Sequence, residues 1–183
     1  GGSGTRFWPR SRKTRPKQLL NITGDEILLK KTIDLITPII PASRIKIVTT
    51  LLQADSVKNT VPQIPEKNTI IEPFGKNTAP AIGISALAIE RDIRDAVMVV
   101  LPADHYIEDT KTFHQTIMAG AAQAFEGDCI VTIGISPRGP ETGYGYIEAG
   151  EKTDAEKGIY AVTSFHEKPD LRTAERFIEQ GTF

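Results

Sequence analysis

The sequence predicts an α/β protein built on a doubly wound, mostly parallel sheet. Two observations predict it: short apolar runs alternate with helical periods, and those runs are almost continuously apolar; the absence of an internal repeat, low-complexity tract or linker favours one domain. A strand buried on both faces needs an unbroken apolar run, whereas a strand with one wet face alternates.

Residues 25–37 carry Leu29, Ile33 and Ile36 at the i, i+4, i+7 spacing of a helix face, and Pro38 ends that helix. Residues 45–49 read as a first strand and residues 68–72 as a second. Residues 77–93 are apolar nearly all round (Ala81, Ile82, Ile84, Leu87, Ala88, Ile89), which predicts a helix buried against the sheet. Residues 96–101, Ala-Val-Met-Val-Val-Leu, predict a third strand. Phe113, Ile117, Ala121, Ala124 and Phe125 then give a core-facing helix closed by Gly127, and residues 129–135 predict a fourth strand. After Pro140 the texture turns to glycine and tyrosine. Residues 143–150 and 159–166 read as strands joined by a turn-rich excursion, followed by a helix over residues 171–180.

Composition narrows the class. At 183 residues and 39% hydrophobic, a chain can bury roughly 70% of its unfolded surface, so disorder and a disulfide miniprotein are excluded. Lys+Arg 22 against Asp+Glu 23 gives no case for a protein that coats nucleic acid or an anionic membrane. Anion recognition must therefore be local. The single cysteine, Cys129, cannot form an internal disulfide, and three scattered histidines make no zinc constellation. This usage suits a reducing cytoplasm. The longest apolar run falls far short of the ~20 residues that span a bilayer.

The chain opens on Gly1-Gly2-Ser3-Gly4 and stops at Phe183 just after a helical period. A glycine-rich loop normally needs a strand to launch it. The expectation is thus a single domain, residues 1–183, lacking its first strand and its C-terminal part, and unstable or inactive alone.

Six of the first 17 residues are cationic (Arg6, Arg10, Arg12, Lys13, Arg15, Lys17), and no acid precedes Asp25. A solvated basic loop or a nucleic-acid patch would look the same. Gly1, Gly2 and Gly4, however, let backbone N–H groups approach an anion, and Arg6 and Lys17 add fixed positive charge suited to a polyphosphate. The loop lacks the Gly-Lys-Ser/Thr of a P-loop, and Phe7 stands where G-x-G-x-x-G needs its last glycine, which disfavours both an ATPase of that type and a nicotinamide dehydrogenase.

Gly1-Gly2-Ser3-Gly4-Thr5-Arg6-Phe7-Trp8-Pro9, with Ser11-Arg12 and Pro16-Lys17-Gln18, resembles the signature of sugar-1-phosphate nucleotidyltransferases, specifically the mannose-1-phosphate guanylyltransferases. Four further stretches match in order: Glu72-Pro73 with Lys76-Asn77-Thr78-Ala79-Pro80-Ala81, Leu101-Pro102-Ala103-Asp104-His105, Pro140-Glu141-Thr142-Gly143-Tyr144-Gly145-Tyr146-Ile147, and Phe165-His166-Glu167-Lys168-Pro169-Asp170.

The resemblance implies transfer of GMP from GTP to mannose 1-phosphate, giving GDP-mannose and pyrophosphate, with magnesium as cofactor and no covalent enzyme intermediate. Gly1, Gly2, Ser3, Gly4 and Thr5 would hold the nucleotide together with Glu72, Asn77, Thr78, Pro102 and Ala103. Arg6, Lys17 and Lys168 would be the catalytic cations, the last holding the sugar phosphate. Tyr144, Gly145 and Glu167 would bind the sugar, and Asp104 the metal. Spacing alone leaves other roles open: a turn or helix cap for Asp104, an N-cap for Asn77 with Pro80 in the first turn, and a bend between strands for Gly143 and Gly145. His105, His114, His166 and Cys129 are assigned structural roles. No nucleic-acid or membrane partner is expected, and a homo-oligomer is compatible. Two alternatives stand beside this reading: a relative using another base or sugar, and a nucleotide-sugar-binding relative without catalysis.

Overall fold

The computed structural model describes residues 19–20, 26–154 and 157–183. The chain divides after Gly127 into two compact units. In the first unit the order is α1 (Leu28–Ile36), β1 (Ile47–Thr50), α2 (Ala54–Thr60), β2 (Thr69–Glu72), α3 (Thr78–Asp92) and α4 (Thr110–Gly127), with short 3-10 turns between. The strands β1 and β2 pair in parallel, from Ile47 opposite Thr69 to Thr50 opposite Glu72. Buried Asn68 sets that register, its side-chain amide donating to the carbonyls of Ser43 at 2.8 Å and Ile45 at 2.9 Å.

The apolar stripe of α1 does what its spacing predicts. Leu29 and Ile33 join Leu19, Val57, Val61 and Ile64 in one buried cluster, where each such side chain contributes on the order of 2 kcal/mol. Helix α2 is an element absent from the sequence expectations; it is short, with Val57 as its buried residue and Val61 and Ile64 joining the cluster from beyond its C-terminus. A bond of 2.6 Å joins the His114 ring Nε2 to the Leu35 carbonyl and ties α4 to α1, in keeping with a structural role for that histidine.

The α/β class and the parallel pairing hold, and two expectations within them need correction. Residues 96–101 and 129–135, expected as strands, join no ladder among the described residues. Their side chains stay accessible, Val100 at 49% and Ile130 at 96%, and Cys129 is exposed. Composition makes a segment suitable for a sheet, but it becomes a strand only when a neighbour pairs its backbone groups. Helix α3 forms as predicted, yet none of its residues is buried and Leu87 is 74% exposed. An all-round apolar helix needs covering elements on more than one side, which α3 lacks among the described residues.

The second unit is an antiparallel ribbon, β3 (Gly145–Asp154) and β4 (Ile159–Glu167), followed by α5 (Leu171–Gln180). These match the strands and helix expected after Pro140. Alternation along the ribbon sends Tyr146 and His166 to one face, where α5 packs. Tyr146, Ala174 and Phe177 are buried there, with Phe183 against them. The Phe177 ring stacks on Phe183 at 4.0 Å and lies 4.8 Å from the ring of His166, which is itself exposed at the edge of that cluster.

Asp170 caps α5, its carboxylate accepting from the Thr173 N–H at 2.8 Å, and Gly181 closes the helix in the left-handed region. The backbone and side-chain hydrogen bonds from Thr173 hold the Asp170 carboxyl below its ordinary value of 3.8. The folded chain thus gives up this negative charge less readily than the unfolded chain does. The stabilisation is complete above the ordinary value and disappears as pH falls through the lowered one. Asparagine caps without titrating, so Asp170→Asn is expected to flatten the acid limb of unfolding midpoint against pH. Superimposable pH profiles for the two proteins would refute this.

Candidate active site

Gly1, Gly2, Ser3, Gly4, Thr5, Arg6 and Lys17 lie outside the described residues. The remaining candidates fall on both units.

In the first unit, Glu72 is the last residue of β2, at the carboxyl edge of the parallel pair, which is where ligands bind in open α/β sheets. It is buried, and among the described residues its Oε2 has no hydrogen-bond partner. A buried carboxylate oxygen left this way is costly, so the position favours a group that donates to it. Five residues on, Asn77 stands at the N-cap of α3 as its spacing allowed, but its side chain caps nothing. Its backbone has φ 67° and ψ −163°, a conformation that glycine tolerates and that costs other residues about 1–3 kcal/mol. Thr78 opens the helix with Pro80 in its first turn. Asn77 and Thr78 are both exposed, and the capping duty that would have explained Asn77 is absent.

Pro102, Ala103 and Asp104 follow residues 96–101 in a loop, with Asp104 in a turn. Ala103 packs against the Leu29, Ile33 and Val61 cluster, which anchors that loop on the core. Asp104 is half-buried. No group of three or more His, Cys, Asp or Glu side chains suited to a metal occurs among the described residues. A single carboxylate is nevertheless the donor set that fits magnesium, which takes one or two carboxylates together with substrate phosphates and water.

In the second unit the sugar candidates come together. Gly145 pairs with Glu167 across the first rung of the ribbon. The Lys168 N–H donates to the Tyr144 carbonyl at 3.2 Å, and the Lys168 ammonium is hydrogen-bonded to the Glu167 carboxylate. Both side chains are more than half exposed. Lys168 itself sits at φ 46°, a left-handed conformation that costs a residue with a Cβ roughly 1 kcal/mol. A carboxylate and an ammonium therefore stand side by side at the end of the ribbon. One is suited to sugar hydroxyls and the other to a phosphate.

Gly145 lies within β3, not at a bend, while Gly143 is in the turn before it. A methyl group built on Gly145 would overlap the Phe165 ring, 2.7 Å from Cε2, and lie 3.2 Å from Glu167 Oε2. Phe165 stands in one of the matched stretches but carries no role in the sequence reading. Counting back by two from Glu167 along a strand puts it on the same face.

Each unit by itself carries a group suited to phosphate chemistry, the first the Asp104 carboxylate and the second the Lys168 ammonium. The chain belongs to the nucleotidyl transferase family, which matches it over residues 1–183. It is 39% identical over 193 residues to the mannose-1-phosphate guanylyltransferase of Klebsiella pneumoniae, covering 100% of this chain and 39% of that one. Identity to the alginate biosynthesis protein AlgA of Pseudomonas aeruginosa is 38% over 191 residues, covering 100% of this chain and 38% of that protein. The chain thus spans 38% to 39% of the length of these two relatives. Among solved structures it resembles one described as a mannose-1-phosphate geranyltransferase from Thermus thermophilus, with a TM-score of 0.86 and 33% identity, covering 99% of this chain and 52% of that chain. A structure described as a mannose-6-phosphate isomerase from Helicobacter pylori follows at TM-score 0.76 and 26% identity, covering 93% of this chain and 62% of that one.

Proposed function

We propose that the protein containing this chain transfers GMP from GTP to mannose 1-phosphate, releasing pyrophosphate. The observation that carries the reading is the adjacency of Glu167, Lys168, Gly145 and Tyr144 at the end of the ribbon. The name of the Klebsiella pneumoniae relative at 39% identity, a mannose-1-phosphate guanylyltransferase, supports the substrates.

A phosphate oxygen of the sugar phosphate attacks the α-phosphorus of the nucleotide, the α–β bridging bond breaks, and pyrophosphate leaves. Two unit charges ~4 Å apart at an effective dielectric of ~20 repel by about 4 kcal/mol, so the protein's work is charge neutralisation and alignment. Lys168 holds the attacking phosphate and Glu167 accepts from sugar hydroxyls. Glu72, Asn77 and Thr78 contact the nucleoside, while Pro102 and Ala103 line its site. Arg6 and Lys17 stabilise the nucleotide phosphates and the departing pyrophosphate, with the backbone of Gly1, Gly2, Ser3, Gly4 and Thr5 around them. Magnesium, held through Asp104, supplies further neutralisation of phosphate charge when bound. A phosphate is already ionised near neutral pH, so no strong general base is needed. The working compartment proposed is the cytoplasm. No helix among the described residues is long and apolar enough to cross a membrane.

The test is pyrophosphate release by the full-length protein with mannose 1-phosphate and magnesium, comparing GTP with ATP, UTP and dTTP. GTP is expected to turn over at least tenfold faster than the others. Equal rates with all four would sink the guanine assignment. No turnover with any nucleotide would favour a nucleotide-sugar-binding protein without catalysis.

A further inference from the structure

We propose that Phe165 is a specificity-determining residue of the sugar-phosphate site, an aromatic wall against which the apolar face of the sugar ring packs. The inference rests on the assignment of Glu167 and Lys168 to that site.

The two faces of the ribbon differ in what they carry. On one, Tyr146 is buried against Phe177 of α5, and the exposed His166 ring lies beside the same phenylalanine. Alternation puts Gly145, Ile147, Phe165 and Glu167 on the other, with Ile147 opposite Phe165 and Gly145 opposite Glu167. Phe165 is 60% exposed, so its ring contributes little to the buried core of this unit. An aromatic side chain of that size gains stability chiefly by burial, and this one forgoes it.

The ring does have a defined position. It occupies the space above Gly145 that a Cβ would fill, with the Glu167 carboxylate 3.2 Å from the same point. The ring and the Glu167 carboxylate thus converge over Gly145, and the Lys168 ammonium adjoins the carboxylate. This combination suits a hexose phosphate. A pyranose presents C–H groups on its faces and hydroxyls at its rim. The C–H groups carry slight positive charge and pack on the negative face of an aromatic ring. The rim hydroxyls donate to a carboxylate, and the phosphate takes the ammonium. Gly145 keeps the floor free of a side chain that would displace the ring or the sugar.

The experiment uses the full-length protein and its Phe165→Ala and Phe165→Tyr variants. Phe165→Ala is expected to raise the KM for mannose 1-phosphate about tenfold, leaving the KM for GTP within twofold and the unfolding midpoint nearly unchanged. Phe165→Tyr, which keeps the ring, is expected to restore the KM for mannose 1-phosphate to within twofold. A KM for mannose 1-phosphate unmoved by Phe165→Ala overturns the proposal, as does a variant whose change is confined to a lowered unfolding midpoint. Titration calorimetry with mannose 1-phosphate separates the two levels of the argument. A wild-type protein that binds it while Phe165→Ala binds it equally well refutes the wall alone. A wild-type protein that does not bind it refutes the sugar-phosphate site and the wall together.

Discussion

Lys168→Ala in the full-length protein is expected to lower kcat/KM for mannose 1-phosphate about 100-fold while GTP affinity stays within twofold. The magnitude is that of removing one fixed charge from a site where phosphate charge must be neutralised as the reaction proceeds, roughly 2.7–4 kcal/mol. The asymmetry between substrates follows from placement. Lys168 is bonded to Glu167 and, through its N–H, to the Tyr144 carbonyl, both of them candidates for sugar binding. Its backbone supplies an independent control. At φ 46° a lysine is conformationally disfavoured, so Lys168→Gly is expected to match or exceed the wild-type unfolding free energy, by up to about 1 kcal/mol, while losing the same activity. An inactive but equally stable glycine variant identifies a residue kept for chemistry. Retention of wild-type turnover by Lys168→Ala would remove the residue from the mechanism.

The second large effect is expected at Glu72. Its buried Oε2 lacks a partner, an arrangement that costs stability unless a bound molecule donates to it. Glu72→Gln keeps the shape and removes the charge. It is expected to weaken nucleotide binding about tenfold, the scale of a charge-assisted hydrogen bond exchanged for a neutral one. The unfolding midpoint without nucleotide should hold steady or rise, because the charge no longer has to be desolvated. Calorimetric titration with GTP and thermal unfolding of the two proteins measure both quantities. Unchanged GTP affinity with a lowered midpoint would make Glu72 a structural residue and return the nucleoside contacts to Asn77 and Thr78.

The sequence is most informative where one local pattern is enough. The stripe of Leu29, Ile33 and Ile36, the stop at Pro38, the helix over residues 171–180 and the two strands before it all appear in the structure within a few residues of their expected bounds. Helix α2 is less accessible, because it has a single buried residue, Val57, and ends before Val61. The candidate site is accessible in a different way. Its residues are found by motif, and their roles come from the resemblance rather than from spacing, which leaves Asn77 a cap and Gly145 a bend. Spacing alone does not show that Asn77 makes no cap and holds a strained backbone, or that Gly145 lies under an aromatic ring.

By itself the sequence determined the α/β class, the helices with a single apolar stripe, the late ribbon and the family, because helix periods, turn residues and motif order act over a few neighbouring positions. Only the tertiary structure decided which apolar runs became paired strands. Residues 69–72 did and, among the described residues, residues 96–101 did not, although both are suited to a sheet. Pairing depends on a partner far along the chain, and so does burial, which is why α3 could be apolar and uncovered at once. The same non-locality brought Phe165 and Glu167 of one strand against Gly145 of the other and left Glu72 with an oxygen lacking a donor among the described residues.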